Sequence, residues 1–558
     1  MQHVSEMLNQ YDSETERLLK CQALSPEDPA FGAFIRPDHQ IDTREIGFAL
    51  AHLCVCYVSV GSRYHHAEAV ALSLSRGMDY LRAHLRPGGC VDLTSCNFAS
   101  APDTAFTVNE LILAWYLLEK DVSPEVDWLR APLRELIERC AEGVMNGGFH
   151  TPNHRWAIAA CLKHAAKIAG RGDFSRRADV YLGEGLDIDE NGEFAERSTG
   201  VYNAVNDDQM VRLYLATGDR TYLEAARSNL MMTLNYIDPD GSLFTFNSTR
   251  QDYGTKVYPT AFYKLFLLVG WLMKDASLAA WAEVCWSLGA AHGRMPDGLP
   301  WLLLYPELED FGRQEKPDRT PLERYDRLFP ASGIARVRRG DYSCTVMAGR
   351  ANFLHFQHGA NRVSLALYAN VCDARNFIPD SIERTGQGFR LRARADSWYY
   401  LPFEGDGPAT RDWWAMDNAT TRRRMIADTL DTVVDIAFAD DGVDVRVRAE
   451  GLDGVPARFE LAFAPGSEVR NENFVLTGAA GGQITVLDGR LQATDEAGDA
   501  VTIAPCFAAH NMQRRLGGAY PLSPSCFNVF LTDHTPFDRT IHIGTRLVFP
   551  LTLEPGAR

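Results

Sequence analysis

The sequence contains no apolar run of the roughly 20 residues that a helix needs to cross a bilayer. Its start, Met1-Gln2-His3-Val4-Ser5-Glu6, has neither the basic opening nor the apolar stretch of a secretory leader. A basic surplus is missing too: 56 Lys and Arg face 73 Asp and Glu, for a formal charge of −17. Phosphate binding needs clustered cations that displace counterions, so nucleic acid is not an expected partner. No long low-complexity tract interrupts the chain, and no CxxC pair occurs. Of the twelve cysteines, Cys54 and Cys56 stand only two apart, and most lie on apolar helical faces where a thiol packs as a small hydrophobe. The expectation is a globular, reduced, cytoplasmic protein, or a periplasmic one if a leader has been removed, with no membrane partner.

What is present is ample material for cores, at 46% hydrophobic and 10% aromatic residues over 558 positions. That length exceeds the roughly 250 to 300 residues at which single cores stop growing, which predicts two large domains. From Arg44 to about Gly293 apolar residues recur at helical spacing, in Glu45 to Val58, Thr104 to Lys120, Trp156 to Ala169, Gln209 to Ala216 and Ala261 to Met273. Between successive helix pairs lie Gly-, Asn- and Asp-rich stretches: Arg86 to Asp103, Met145 to Asn153, Asp187 to Asn206, and Asp238 to Tyr258. Stacked helical hairpins of this kind curve into a ring and bring their connections out on one face. Pro296, Pro300, Pro306, Pro317 and Pro321 then mark a helix-poor linker. Beyond Ala331 short runs such as Tyr342 to Met347, Arg362 to Tyr368, Gly388 to Ala393, Thr432 to Ala437, Val443 to Ala449 and Ala457 to Ala464 read as strands. The predicted architecture is α+β and multidomain: an incomplete (α/α) toroid over 1–295, a linker over 296–330, and an antiparallel β-sandwich over 331–558.

The chemistry-bearing residues fall in the inter-pair stretches. Gly147-Gly148-Phe149-His150-Thr151-Pro152-Asn153-His154-Arg155-Trp156 places Asn153 and His154 at a helix start, where free N–H groups and the dipole already favour a carboxylate. An ordinary cap with a surface histidine explains the same residues. In Gly192 to Asn203, Tyr202 and Asn203 are expected on the same face, while Glu196 and Arg197 read as loop support. Asn97 to Thr104 and Arg250 to Gly254 add polar groups (Asn97, Asp103, Arg250) and rings (Phe98, Tyr253), a mixture that suits a sugar. Asp103 also fits the N-cap of a helix starting at Thr104. In the sandwich, His355 and His358 are three apart and face opposite sides of a strand, so at most one reaches a cleft, and no third ligand makes a zinc set. Trp413 and Trp414 suit either a cleft loop or sandwich packing.

In Thr-Pro-Asn-His-Arg-Trp (151–156), in Glu-Arg-Ser-x-Gly-x-Tyr-Asn (196–203), and in the sandwich that follows, the chain resembles the heparinase II/III-like and oligoalginate-type lyases over nearly its whole length. It departs from many of them at the start of the β-domain, where Phe356-Gln357-His358-Gly359 replaces a Gly-His-Gly-His-x-Asp string. The resemblance implies β-elimination of a uronate: the C5 proton is removed, the 4-linked oxygen leaves, and an unsaturated sugar forms. It casts Asn153 as the group neutralising the carboxylate, with His154 and Arg155 assisting. Tyr202 becomes the proton-transfer residue, and the base is either Tyr202 or a histidine, His154 or His358. Asn97, Asp103, Arg155, Asn203, Arg250, Tyr253, His355 and Trp413 become substrate contacts. No cofactor is implied, a structural divalent metal is left open, and the partner is an acidic oligosaccharide or polysaccharide; a homodimer is allowed. Two other readings stand beside this one: a glycoside hydrolase using two of Asp103, Glu196, Asp207 and Asp252, and a non-catalytic carbohydrate-binding protein.

Overall fold

Ten helices account for most of the first half of the chain: α1 (Gln2–Cys21), α2 (Thr43–Val58), α3 (Glu68–His84), α4 (Ala101–Lys120), α5 (Asp127–Asn146), α6 (Pro152–Ala169), α7 (Gly172–Leu182), α8 (Tyr202–Thr217), α9 (Arg220–Thr233) and α10 (Tyr263–Met273). Composition sorts them. α2, α4 and α6 are apolar or small on nearly every face, and Ala157, Ala159, Ala160 and Ala165 of α6 are completely buried. α3 buries a stripe of Val70, Leu74, Met78 and Leu81, and α5 and α7 are similarly one-sided. A helix apolar all round must be wrapped by others, whereas a striped helix keeps a face to water. Accordingly α2, α4, α6, α8 and α10 pack each against the next, and α3, α5, α7 and α9 pack against the preceding member of that inner set. Because an outer helix returns the chain between inner ones, the inner helices run parallel and their N-termini share one rim.

The computed structural model describes residues 2–371, 374–401, 410–416 and 424–546. They fall into two units, Met1–Tyr236 with Gly241–Asp318, and Ile237–Asp240 with Arg319–Arg558. The first is the α/α toroid. It includes α1, which the helical periodicity did not reveal, because the α1 sequence is largely polar and buries only Met7, Leu8 and Leu18 among its large apolar side chains. It also includes Leu299–Leu304 and Glu307–Gly312, two short helices inside the stretch expected as linker, where prolines open helices as well as break them.

The second unit is an antiparallel sandwich. Its first sheet runs Arg324–Phe329, Ile334–Arg339, Tyr342–Met347, Leu354–His358 and Asn361–Val371, then Pro456–Phe463, Phe527–His534 and the parallel Gln483–Thr485. The second sheet centres on Gly388–Tyr400, Arg424–Ala439, Gly442–Glu450 and Phe537–Gly544. Inward residues of both sheets, among them Phe356, Leu365, Val434, Val445 and Ile541, form one core. Ile237–Asp240 belongs to this unit: Asp238 accepts from Arg336 at 2.9 Å, Arg362 at 3.0 Å and Ser343 at 2.8 Å. Among the described residues the cysteines are free, with Cys54 and Cys56 buried, and no helix is long and apolar enough to cross a membrane.

Candidate active site

The shared rim of inner-helix N-termini opens into a cleft of about 610 Å³. Arg44 and Phe48 of α2, Asp103, Phe106 and Glu110 of α4, His154 of α6, and Tyr202 and Val205 of α8 line it, with Asn97 and His150 from the connections. Four helix dipoles thus direct their positive ends at one space, which favours an anion there even though the chain as a whole is acidic. A second hollow of about 460 Å³, lined by Arg17, Ile35 and His52 among others, shares only Phe48 with the cleft and carries none of its polar groups.

Tyr202 is the most elaborately held residue. It opens α8, and its backbone N–H donates to Ser198 Oγ at 3.0 Å. The Ser198 hydroxyl in turn donates to Asp252 Oδ1 at 2.9 Å, while Asp252 also accepts from Gly200 N at 3.0 Å and Ser248 Oγ at 2.5 Å. A Cβ on Gly200 would lie 2.9 Å from Asp252 Oδ2, so glycine permits this approach. The same loop reaches the phenol: Gln251 Nε2 donates to Tyr202 Oη at 2.6 Å, and the Arg250 guanidinium lies 5.1 Å from the ring centroid. Asp252 is therefore spent on holding the loop. Gln251, which sequence reasoning passed over, is in contact with the functional atom; its only sequence signal was its place in a polar loop.

At the start of α6, Thr151 caps without a side-chain bond and Pro152 occupies the first turn. His154 lines the cleft, edge-on to Phe106 and His150. Burial drives its pKa down to about 4; Asp103 opposes that shift, and His150 and Arg250 add to it. The ring is therefore neutral at physiological pH, because burial disfavours its protonated form.

Asn153 behaves differently from expectation. It is completely buried, and its amide donates to Thr151 Oγ1 at 2.9 Å and Glu196 Oε1 at 2.7 Å. Both hydrogens are thus engaged, and the amide does not face the cleft. Glu196 sits at the N-terminus of α6 with Arg250 3.6 Å away; burial raises its pKa, against Asn153 and Arg250. Its partner is Arg250 and not the neighbouring Arg197. Arg155 is also corrected: its buried guanidinium binds Glu184 at 2.8 Å, Asp187 at 2.6 Å and the Gly185 carbonyl at 2.8 Å, fastening the loop after α7. Asn203 is completely buried beneath the rim.

Asp103 lines the cleft but does not cap a helix. Ser100 is the cap of α4, accepting from Asp103 N at 3.3 Å, and Asp103 Oδ1 is 3.2 Å from Arg44 Nε. Asn97 donates to Ser100 Oγ at 2.9 Å. Tyr253 is exposed and meets Phe246 edge-on. Glu110, seven residues on from Asp103, was not foreseen; burial raises its pKa against the opposing Arg212, 2.8 Å away. It shares the apolar periodicity of α4 and so looked like part of an ordinary helix.

Within the sandwich, His355 is buried in its strand, and burial with Arg362 and Arg336 holds it well below the usual histidine range, so it is neutral. His358 is half-buried, with Nδ1 2.6 Å from the Ala500 carbonyl. Trp413 is exposed on a short 3₁₀ turn, Trp413–Ala415, and Trp414 is more exposed still.

No protein-family model matches the sequence, and no curated protein does. Solved structures do match. Chondroitin AC lyase of Streptomyces coelicolor A3 superposes with a TM-score of 0.56 at 12% identity, over 97% of this chain and 79% of that one. A Paenibacillus xanthan lyase gives 0.61 at 10% identity, over 98% of this chain and 57% of that longer one. A heparan sulfate lyase from Pedobacter heparinus gives 0.52 at 10% identity, over 98% and 89%. The chain therefore has the fold of the polysaccharide lyases that join an (α/α) toroid to an antiparallel β-sandwich.

Proposed function

We propose that this protein is a polysaccharide lyase cleaving a uronate-containing glycan by β-elimination. The observation that carries the reading is the pairing, on one cleft, of a phenol hydrogen-bonded by an amide with a neutral imidazole, at the converged N-termini of α2, α4, α6 and α8. The fold it shares with chondroitin AC, xanthan and heparan sulfate lyases supports it. Removing the C5 proton places charge on the uronate carboxylate, and fixed dipoles aimed at that charge lower the barrier most. With the Asn153 amide spent below the rim, the helix N-termini, Arg44 and His150 take over neutralisation, and Asn153 acts by holding Glu196. Tyr202 Oη exchanges the proton with substrate. The Gln251 N–H donates to that oxygen and fixes its position for the transfer.

One observation favours a second reading. Asp103 and Glu110 share a wall of the cleft, and Glu110 is raised as a general acid would be. Seven helical residues separate their backbones by about 10 Å, near the spacing of an inverting glycosidase pair. Of the other carboxylates a hydrolase could use, Glu196, Asp207 and Asp252 are all buried. Incubation with a panel of uronate oligosaccharides decides between the two. The lyase produces an ultraviolet-absorbing unsaturated uronide; a hydrolase would release reducing ends without that absorbance and would lose activity in Glu110→Gln; binding without turnover would leave a carbohydrate-binding protein.

A pH dependence of stability follows from the buried histidines. His164 on α6 lies between the Tyr116 hydroxyl at 2.8 Å and the Arg212 carbonyl at 2.9 Å, and burial lowers its pKa to about 4. The unfolded chain, with ordinary histidine near 6.5, binds the extra proton first. The contribution is complete above about pH 6.5 and is lost as pH falls towards 4, to the extent of roughly 2–3 kcal/mol. About 2 kcal/mol of this falls between pH 7 and pH 5, and in denaturant titrations at those two pH values His164→Gln should reduce the difference in unfolding free energy by about that amount.

A further inference from the structure

At the opposite end of the toroid's inner helices, two connections meet. The one after α2 turns through Tyr64-His65-His66, and the one after α4 begins at Asp121. Adjacent side chains of an extended chain point to opposite sides. Here His66 takes φ +51°, in the left-handed region that L side chains rarely adopt, and both rings end on one side, stacked with centroids 3.8 Å apart. Asp121 Oδ2 lies 2.8 Å from His66 Nε2, and Ser123 Oγ lies 3.4 Å from the same nitrogen. The other carboxylate oxygen accepts from Ser123 N at 3.0 Å, which fixes its orientation. One ligand atom each from His65, His66 and Asp121 falls within 4.8 Å of the others, and all three residues are half-buried.

We propose that His65, His66 and Asp121 bind a divalent first-row transition ion of the zinc class, which clips these two connections together. A histidine–aspartate hydrogen bond by itself accounts for the His66 and Asp121 contact, but it leaves unexplained why His66 takes an unfavourable backbone that brings its ring onto the same side as that of His65. Two imidazole nitrogens and one carboxylate oxygen suit zinc and its neighbours; calcium and magnesium take all-oxygen sets. Ligands about 2.0–2.1 Å from a tetrahedral ion stand roughly 3.3 Å apart. The His66–Asp121 pair is near that spacing already, and rotation of the His65 ring completes the set, with water in the fourth position. α4 carries Asp103 at the cleft and Asp121 just past its far end, 18 residues and about 27 Å away along the helix. The ion is therefore structural and takes no part in cleavage.

Calorimetric titration of the untagged, full-length protein with zinc should give one ion per chain and a rise in the thermal midpoint that a chelator reverses. Cobalt(II) should give visible ligand-field bands without cobalt–thiolate charge transfer. His65→Ala and Asp121→Asn should each weaken binding by about tenfold or more and remove the midpoint shift. His66→Asn should do the same while keeping a residue that tolerates the left-handed backbone. The proposal is overturned by the absence of a saturable site, by cobalt–sulfur absorption that places the ion on cysteine, or by unchanged affinity in His65→Ala and Asp121→Asn.

Discussion

Tyr202→Phe should slow formation of unsaturated product by about 10²- to 10⁴-fold, the usual contribution of a positioned proton-transfer group, with little change in KM or in unfolding midpoint. The substitution deletes a single oxygen. The ring and its contact with Arg250 remain, and the backbone N–H still bonds Ser198. Gln251 loses its acceptor but is exposed at that bond, so water replaces it at a cost within about 0.5 kcal/mol. A rate effect without a stability effect is what separates a chemical role from a packing one. Wild-type kcat in Tyr202→Phe, on a substrate that the wild type demonstrably cleaves, would remove the phenol from the mechanism and leave proton transfer to the other groups of the cleft wall, His154, His150, Asp103 and Glu110.

The largest stability effect is expected at Arg212→Met, about 3–5 kcal/mol. Arg212 is fully buried on α8 and donates to Asp208 at 2.6 Å, to Glu110 at 2.8 Å and to the Asn109 carbonyl at 2.6 Å, linking α8 to α4. Burial pushes the Asp208 carboxyl up, but Arg212 and Lys264 outweigh it and hold the group ionised. Methionine fills much of the volume and carries no charge, so Asp208 is left buried without its main partner, and Glu110 on the cleft wall loses its ion pair as well. Lys264, 3.9 Å from Asp208, offsets only part of this. Loss of helical circular dichroism in denaturant should move to markedly lower concentration in the variant. Arg212→Met/Asp208→Asn should recover part of the loss, because the second change removes the stranded charge; an unshifted transition in the single variant would show the network to be energetically idle.

The positions of the site residues, as distinct from their chemical roles, differ in how far local sequence reveals them. Tyr202 and His154 were legible because each opens a helix after a polar, glycine-bearing connection, and a chain of hairpins must send such connections to one rim. Asn153 and Arg155 stand in the same motif, yet the structure turns them away from the cleft. Successive residues of a helix point about 100° apart, so of four consecutive motif residues only some can face the opening, and the periodicity that would have settled which ones begins one turn later. The same blindness explains why α4 and α6 start about one turn, and α8 about two turns, before the apolar pattern does: first turns are built of caps and polar groups and carry no hydrophobic stripe.

Glu110, Gln251 and the Asp252–Ser198–Tyr202 chain were out of reach for another reason. Each joins positions dozens to a hundred residues apart, Glu110 with Arg212 and Ser198 with Asp252, and nothing local distinguishes such a residue from a solvated one.

The amino-acid sequence by itself determined the helical-hairpin half, the strand-rich half, and the rim on which polar connections gather, because periodicity and turn chemistry are short-range properties that every residue carries with it. Only the tertiary structure decided which side chains enter the cleft, which carboxylates are consumed by buried partners, and how far burial moves the protons of His154 and Glu110. Those outcomes depend on desolvation and on contacts between distant segments, and neither exists until the chain has closed around them.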